Sequence, residues 1–222
     1  MTPHDDSIPT PALTRRRRNG DLAAVLLAHG VDLARAGGPE AVSLREVQRR
    51  AGVSHAAAYR HYADREALLA AISSYAKAAI YNAMNAAQQQ VPSKTSAASS
   101  PAAAQVSRAR FDALGRAYLD FALTEPGLFH TAFLPDSNVS PTAETPDGPT
   151  SNPYHLLMRC LDDMVDAGAL APERRPFSDV AALASVHGLA VLLLDGPLRH
   201  LDPMHREAAI KRTLDIVSAG TK

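Results

Sequence analysis

The spacing of apolar residues constrains this chain most, because they recur at intervals of three and four and show no clean alternation. Intervals of three and four place side chains along one face of an α-helix, whereas alternation would indicate a β-strand. Alanine is abundant, and no period-two segment is bounded by turn signals. Hydrophobic residues make up 46% of the 222 positions, which is enough for one or two compact domains with a core. We therefore predict an all-α protein.

Capping residues and glycines divide the first part of the chain into four predicted helices. The first helix carries an apolar face and ends at Gly37-Gly38-Pro39. Ser43 to Glu46 has the spacing of a capping box, which predicts the start of a short second helix. Ser54 is placed to cap a short third helix that runs to about Tyr62, and Asp64 to cap a long fourth helix. The apolar stripe of the fourth helix comprises Leu68, Leu69, Ile72, Tyr75 and Ile80.

Three later helices share one start signal, a capping side chain directly before proline. The signals are Ser100-Pro101, Asn152-Pro153 and Asp202-Pro203, and they predict helices over residues 101–124, 153–168 and 203–218. Residues 177–194 are apolar almost all round, which predicts a further, buried helix. Prolines and a glycine interrupt residues 135–152, so we expect a long, mobile loop there.

Basic charge is concentrated near the N-terminus, although the formal net charge of the whole chain is zero. Residues 14–65 contain ten arginines against five acidic residues, a local net charge of +5. Any attraction to nucleic acid must come from such local segregation of charge. The run Arg15 to Arg18 has two interpretations, a flexible arm that contacts DNA or a solvated run of charge, and the sequence leaves both open.

The segment Ser43–Tyr62, SLREVQRRAGVSHAAAYRHY, predicts two short helices joined by a tight turn at Ala51-Gly52-Val53. In a helix-turn-helix unit, the second helix enters the major groove of DNA. Three consecutive alanines at positions 56 to 58 would let the backbone of that helix approach a groove closely. The larger polar side chains beside them are those of His55, Tyr59, Arg60 and His61.

The stretch SLREVQRRAGVSHAAAYRHYADREALLAAI resembles the TetR family of bacterial transcriptional regulators, and the likeness extends over residues 20–75. The resemblance implies that the start of the second helix meets phosphate and base, and that the start of the third helix faces the groove. It also implies that Tyr59 and His61 hold phosphates and that Arg65 reaches the DNA backbone from the fourth helix, with His55 the first candidate for reading a base. The candidate DNA contacts are Ser43, Arg45, Ser54, His55, Ala57, Tyr59, Arg60, His61 and Arg65.

Three positions depart from the family pattern within this unit. Gln48 stands where alanine is usual, His29-Gly30 replaces small alanines in the first helix, and Arg65 stands where lysine is common. Glycine within a helix costs about 0.5–1 kcal/mol relative to alanine. Gln48 and Gly30 therefore bear on how tightly the three N-terminal helices pack.

The C-terminal part resembles the regulatory domain of a TetR subgroup that carries a Trp-His-Gly signature. His187-Gly188 retains the last two residues of that signature without the tryptophan, and Tyr118 to Phe129 is similar to the subgroup's central region. The resemblance implies a small-molecule effector and dimerisation through the helices over residues 177–197 and 203–218. Aromatic and similar side chains at helical spacing suit either a pocket lining or the core. The effector-contact candidates are Tyr75, Phe111, Tyr118, Phe121, Phe129, Phe133, Met158 and His187.

The resemblance implies three segments: a disordered basic arm over residues 1–18, a helix-turn-helix domain over 19–65, and a helical effector-binding and dimerisation domain over 66–222. It further implies a homodimer that binds palindromic, double-stranded operator DNA, as a repressor released by a small-molecule effector. An activator or a co-repressor-dependent regulator would carry the same residues, so the sign of regulation stays open. We expect such a protein in the bacterial cytoplasm, associated with the nucleoid.

Other classes of protein are disfavoured by what the sequence lacks. Cys160 is the single cysteine, which excludes an intrachain disulfide and a cysteine-based metal site and fits a reducing compartment. No apolar run reaches the roughly 18–20 residues of a membrane span, so we expect no membrane partner. The chain has no His-Glu-x-x-His, glycine-rich phosphate loop or Gly-x-Ser-x-Gly motif, so we expect no catalytic residue, metal or cofactor. The alternative to a regulator is a helical ligand-binding protein that has lost DNA recognition, against which Arg45, Tyr59 and His61 argue.

Overall fold

The computed structural model describes residues 12–92, 100–134 and 152–220, with side chains from Leu22 onward. These residues form nine α-helices and no β-strand, so the all-α prediction is confirmed. Most of the segment predicted as a loop, residues 135–151, lies outside the described residues. The helices are α1 (Ala12–Gly37), α2 (Leu44–Ala51), α3 (His55–Tyr59), α4 (Arg65–Gln89), α5 (Pro101–Thr124), α6 (Pro126–Ala132), α7 (Pro153–Asp166), α8 (Ser178–Leu194) and α9 (Pro203–Gly220).

Most helix starts follow the predicted capping residues. Ser100, Asn152 and Asp202 each accept a backbone N–H of the first turn, at 3.1, 2.9 and 3.0 Å. Ser54 and Asp64 do the same for α3 and α4, at 3.3 and 2.7 Å. These bonds use N–H groups that have no partner inside the helix, which is why such residues define helix starts.

The capping box predicted at the start of α2 is wrong. Ser43 occupies the capping position, but its side chain makes no capping hydrogen bond. The Glu46 carboxylate instead accepts hydrogen bonds from Arg49 at 2.7 Å and Arg50 at 2.9 Å. Hydrogen bonds between charged groups are about twice as strong as neutral ones, so two guanidinium groups outcompete one backbone N–H for this carboxylate.

Helix α1 begins at Ala12, so residues 12–18 are helical where the sequence predicts a disordered arm. Arginine is a good helix former, and no glycine or proline interrupts residues 12–19. Residues 1–11 and the side chains of Arg15–Arg18 lie outside the described part of the chain. The DNA-contacting arm therefore stays a prediction.

Helix α4 joins the N-terminal helices to the rest of the chain, since it packs against α1 as well as α5, α6 and α7. Its predicted apolar stripe is buried except at Tyr75, which is 40% exposed and hydrogen-bonded to Arg35. Ala76 takes a buried position on α4 instead. At Gly30 the two helices approach closely, since a Cβ there would lie 2.9 Å from Cδ1 of Ile72. The glycine that departs from the family pattern thus permits the α1–α4 contact.

Helix α6 is an element that the sequence analysis did not predict. Seven residues are too few to show helical periodicity, and Pro126 reads simply as a helix stop. Gly127 presses against α1, because a Cβ at this position would lie 2.0 Å from the Ala34 carbonyl oxygen. The other end of α6 touches α4, where the Ser73 hydroxyl donates to the Ala132 carbonyl at 3.1 Å.

The prediction that α8 is buried holds for one side only. That side packs against α5 and α7, and α8 also packs against α9. On the outer side, Val180, Val191 and Leu192 are 52, 40 and 41% exposed. Met204 and Ile216 of α9 are 73 and 57% exposed. The last two helices therefore present large apolar side chains outward in the described chain.

Candidate functional site

The turn between α2 and α3 is built around Gly52, which has the left-handed backbone conformation (φ 65°, ψ 29°). Glycine adopts this conformation without the steric penalty of a Cβ. Inward-facing side chains of both helices are buried in the core, among them Leu44, Val47 and Ala58. Arg45, His55, Tyr59 and Arg60 lie on the opposite, exposed surface.

The outer face of α3 carries two stacked rings. His55 and Tyr59 lie with ring centroids 4.0 Å apart and planes 17° apart, and Tyr59 is 42% exposed. Ala57 is half-buried, and its N–H donates to Ser54 Oγ at 3.3 Å. The stack is a feature that sequence analysis missed, although the i, i+4 spacing of the two residues on a helix would have indicated it.

Some arginines on α2 and at the end of α3 form ion pairs and others do not. Arg49 and Arg50 are paired with Glu46, and these two guanidinium groups lower the pKa of its carboxyl to about 2. Arg45 and Arg60 are exposed and form no ion pair with any residue that the structure describes. These two arginines can therefore bind an external anion without first breaking an internal ion pair.

The remaining DNA-contact candidates differ in accessibility. Ser43 is exposed and His61 is half-buried. Arg65 is half-buried and turned into the protein, where Nε donates to the Val42 carbonyl at 2.9 Å and Nη2 to the Pro39 carbonyl at 2.6 Å. The geometry therefore gives Arg65 a structural contact, since it ties the start of α4 to the segment before α2.

A cavity of about 320 Å³ lies among the C-terminal helices, lined by residues of α4, α5, α6, α7, α8 and α9. Of the predicted effector contacts, Phe111, Tyr118 and Phe133 line it. Tyr75 is 40% exposed at the surface, where it lies beside Arg35. The predicted contacts that do not line the cavity are Tyr75, Phe121, Phe129, Met158 and His187.

An aromatic cluster stands behind the cavity wall. Tyr118 is hydrogen-bonded to His187 Nδ1 at 2.8 Å, and the His187 ring centroid lies 5.4 Å from Phe129 and 4.9 Å from Phe133. Burial lowers the pKa of His187, so the neutral ring is favoured. His187 is half-buried and holds Tyr118, a residue of the cavity wall, in place.

Sequence analysis missed two charged residues of the cavity, Lys77 on α4 and Asp112 on α5. Burial lowers the pKa of Lys77. Burial raises the pKa of Asp112, as does nearby Asp215, while a hydrogen bond from Ser218 opposes the change. In the sequence, each of these positions shows only a charged residue within a helical pattern. Charged residues are common at the edge of a helix, so this signal alone does not indicate a residue of a cavity.

The described residues contain no group of three or more His, Cys, Asp or Glu side chains that could hold a metal ion. Within the same part of the chain, none of the helices has both the length and the apolar character needed to cross a membrane.

Two family models match the chain. One described as "Bacterial regulatory proteins, tetR family" matches residues 26–72, and one described as "Tetracyclin repressor-like, C-terminal domain" matches residues 111–217. The first covers α2, α3 and the start of α4, and the second covers the cavity helices from α5 to α9. Neither match distinguishes the Trp-His-Gly subgroup. No match was found among curated proteins.

Solved structures share the fold. A protein of unknown function from Rhodococcus sp. RHA1 is 25% identical with a TM-score of 0.70, over 98% of this chain and 99% of that chain. A TetR family transcription regulator from Marinobacter aquaeolei VT8 is 21% identical with a TM-score of 0.57, over 90% of this chain and 97% of that one. With both domains matched and a helix-turn-helix at α2–α3, the chain belongs to the TetR family of transcriptional regulators.

Proposed function

We propose that the protein is a homodimeric repressor that reads a palindromic operator with α2 and α3 and is released by a small molecule bound in the cavity. The outer face of α2–α3 carries the proposal. It presents Arg45 and Arg60 without internal ion pairs, beside the His55–Tyr59 stack. Phosphate contacts by the arginines would supply affinity, and base contacts from the start of α3, His55 first, would supply sequence preference.

On this proposal the segments have separate tasks. Residues 19–65 read DNA, residues 66–222 bind the effector and dimerise, and Arg15–Arg18 extend the phosphate contacts. Such a protein would act in the bacterial cytoplasm, on nucleoid DNA.

The outward apolar side chains of α8 and α9 support the dimer. Five large apolar residues on these two helices are 40% or more exposed in the single chain. A second copy that packs the same patch against them would bury them around a two-fold axis. The two α3 helices would then meet major grooves about 34–36 Å apart, or a multiple of that distance.

Helix α6 supports a route from the cavity to the DNA-reading unit. Phe133, directly after α6, lines the cavity, while Gly127 at the other end of the helix presses on the end of α1. A ligand shifts the dimer toward a non-binding geometry only if it binds that geometry more tightly. A shift from 1:99 to 99:1 requires about 5.5 kcal/mol of differential affinity.

The test is selection of genomic fragments by the purified full-length protein at two salt concentrations, read by sequencing. We expect a palindromic site near a promoter, and we expect Arg45→Ala to weaken its binding and to reduce the salt slope by about 2, since the dimer loses one phosphate contact in each half-site. His55→Ala should relax preference at one base pair by about 1–3 kcal/mol. Arg159→Ala, an exposed arginine on α7, serves as the control and should bind like the wild type.

Three outcomes would contradict parts of the proposal. A folded dimer that enriches no sequence would indicate a helical ligand-binding protein without DNA recognition. Enrichment of asymmetric single sites would contradict the two-fold arrangement. A neighbouring transcript that falls when the gene is deleted would indicate an activator.

A further inference from the structure

We propose that the ligand of the cavity is a small apolar monocarboxylate whose carboxylate pairs with Lys77. This inference deepens the proposed function, because it rests on the assignment of the cavity as the effector site and names the chemical class of the effector.

The cavity wall is mostly apolar, which favours a ligand that is apolar apart from its carboxylate. Side chains of Met84, Phe111, Leu157, Val186 and Leu214 reach the cavity from α4, α5, α7, α8 and α9. At about 320 Å³, the cavity is at the small end of the range of about 300–1,000 Å³ for ligand sites. A compact aromatic or medium-chain aliphatic group suits this wall, because burial of its apolar surface drives binding.

Lys77 is a charged residue in this mostly apolar wall. It is the sole cation among the described lining residues, it is half-buried, and it forms no hydrogen bond or ion pair with any described residue. Burial lowers the pKa of its ammonium, as expected for a charge that loses water without gaining a partner. A buried charge is ordinarily paired, so the structure leaves one cation at the cavity that an anionic ligand would satisfy.

Hydroxyl groups on the cavity wall, in contrast, already have partners. The Tyr118 hydroxyl is hydrogen-bonded to His187 Nδ1 at 2.8 Å, and the Tyr154 hydroxyl donates to Asp179. A carboxylate only accepts hydrogen bonds, and the Tyr154 O–H already donates to Asp179, so a carboxylate at Tyr154 would have to displace that bond. Lys77 therefore offers the strongest net gain for a polar group of the ligand.

Asp112 limits the ligand to one negative charge. Asp112 lines the same cavity, and Ser218 and Asp215 of α9 lie close enough to affect the pKa of its carboxyl. A second carboxylate, or a phosphate with two charges, would meet this acid with no further cation on the described wall to offset it. One carboxylate on an apolar body matches one lysine in an apolar cavity.

The experiment measures binding of four carboxylates, octanoate, decanoate, 4-phenylbutyrate and 2-naphthoate, each beside its primary amide, to the full-length dimer by calorimetry. The amide keeps the shape and removes the charge. We expect at least one carboxylate to bind about 10- to 100-fold more tightly than its amide, the range for a hydrogen bond to a charged group. Lys77→Met should reduce that carboxylate to the affinity of the amide, and Lys77→Arg should restore most of it.

Two controls separate this effect from misfolding. Lys211→Met removes an exposed lysine of α9 and should leave carboxylate binding unchanged. Lys77→Met should melt at or above the wild-type temperature, because it removes a half-buried charge without a partner.

The inference is overturned if no carboxylate of the panel binds the wild type, if acid and amide bind equally, or if Lys77→Met retains the preference. Failure of the proposed function would look different. A carboxylate that binds through Lys77 but leaves the operator complex intact contradicts release by effector while it supports the ligand class. An operator complex that forms normally while no carboxylate binds contradicts the ligand class alone.

Discussion

Gly127 is the residue at which α6 of the effector domain meets α1 of the DNA-reading domain, and its replacement by alanine tests that contact. Its Cα faces the last turn of α1, and a Cβ would lie 2.0 Å from the Ala34 carbonyl oxygen and 3.0 Å from that of Arg35. The position does not have the left-handed backbone that excludes alanine. Any effect of Gly127→Ala therefore comes from the contact between the helices.

Gly127→Ala should destabilise the protein, whereas replacement of glycine by alanine at an open helical position stabilises it. Alanine favours a helix over glycine by about 0.5–1 kcal/mol, so an open site would be stabilised. A carbon and a carbonyl oxygen approach no closer than about 3.3 Å, so the two helices must separate by about 1.3 Å at Gly127. Overpacking costs about 1–3 kcal/mol, and we expect the upper value because a backbone carbonyl cannot rotate away. After the helix gain of alanine, the net loss is about 2–2.5 kcal/mol, and at about 2–4 °C per kcal/mol for a chain of this size the melting temperature should fall by about 4–10 °C.

The assay is thermal unfolding of the dimer at fixed protein concentration. Gly220→Ala is the open-site control, because nothing lies near its Cβ, and it should change the melting temperature little. Gly30→Ala is the intermediate case, since its Cβ would meet side-chain atoms rather than backbone, Ile72 Cδ1 at 2.9 Å and Leu68 Cδ1 at 3.3 Å. A Gly127→Ala protein as stable as the wild type, or more stable, would refute the close contact between α6 and α1.

Three further predictions concern single buried or half-buried groups. Gln48→Met should stabilise the protein by about 1–3 kcal/mol in urea unfolding, because Gln48 Oε1 is buried without a hydrogen-bond partner in the described structure; a loss of stability would contradict this. Arg65→Met should lose about 1.5–3 kcal/mol of stability through its two carbonyl contacts, whereas unchanged stability with weaker operator binding would contradict this structural role and support the DNA contact that the resemblance implies. Burial raises the pKa of Cys160 to about 12, so the thiol is protonated at pH 8. It should therefore react with Ellman's reagent only as fast as the protein unfolds. If the thiol of the native protein reacts as fast as that of the denatured protein, Cys160 is not buried.

Local signals predicted the helix starts correctly and failed where a longer-range or stronger partner competed. Ser54 and Asp64 cap their helices as predicted, because a capping bond spans only three residues. Glu46 does not complete its capping box, since two arginines one turn away bind it more strongly. Local signals also did not show that Arg65 donates to carbonyls of the segment before α2, because those carbonyls are more than twenty positions away in sequence.

In the candidate site, too, local sequence determines one part and tertiary packing the other. The exposed positions of α2 and α3 are set by helix geometry and a single turn, so the sequence located the unit without tertiary information. The cavity is assembled from six helices, and aromatic residues at helical spacing look alike whether they face it or the core. Phe111 faces the cavity while Phe129 packs behind its wall, and nothing in their local sequence distinguishes them.

By itself, the sequence determined the helical class, the starts of the five helices capped by Ser54, Asp64, Ser100, Asn152 and Asp202, and the helix-turn-helix, because each depends on interactions within about four residues. Tertiary packing decided which surfaces meet. It placed Gly127 against the end of α1, left one side of α8 uncovered and brought Lys77 and Asp112 into one apolar cavity. These outcomes depend on how helices far apart in sequence cross, and a pattern along one helix states which face is apolar but not what that face will touch.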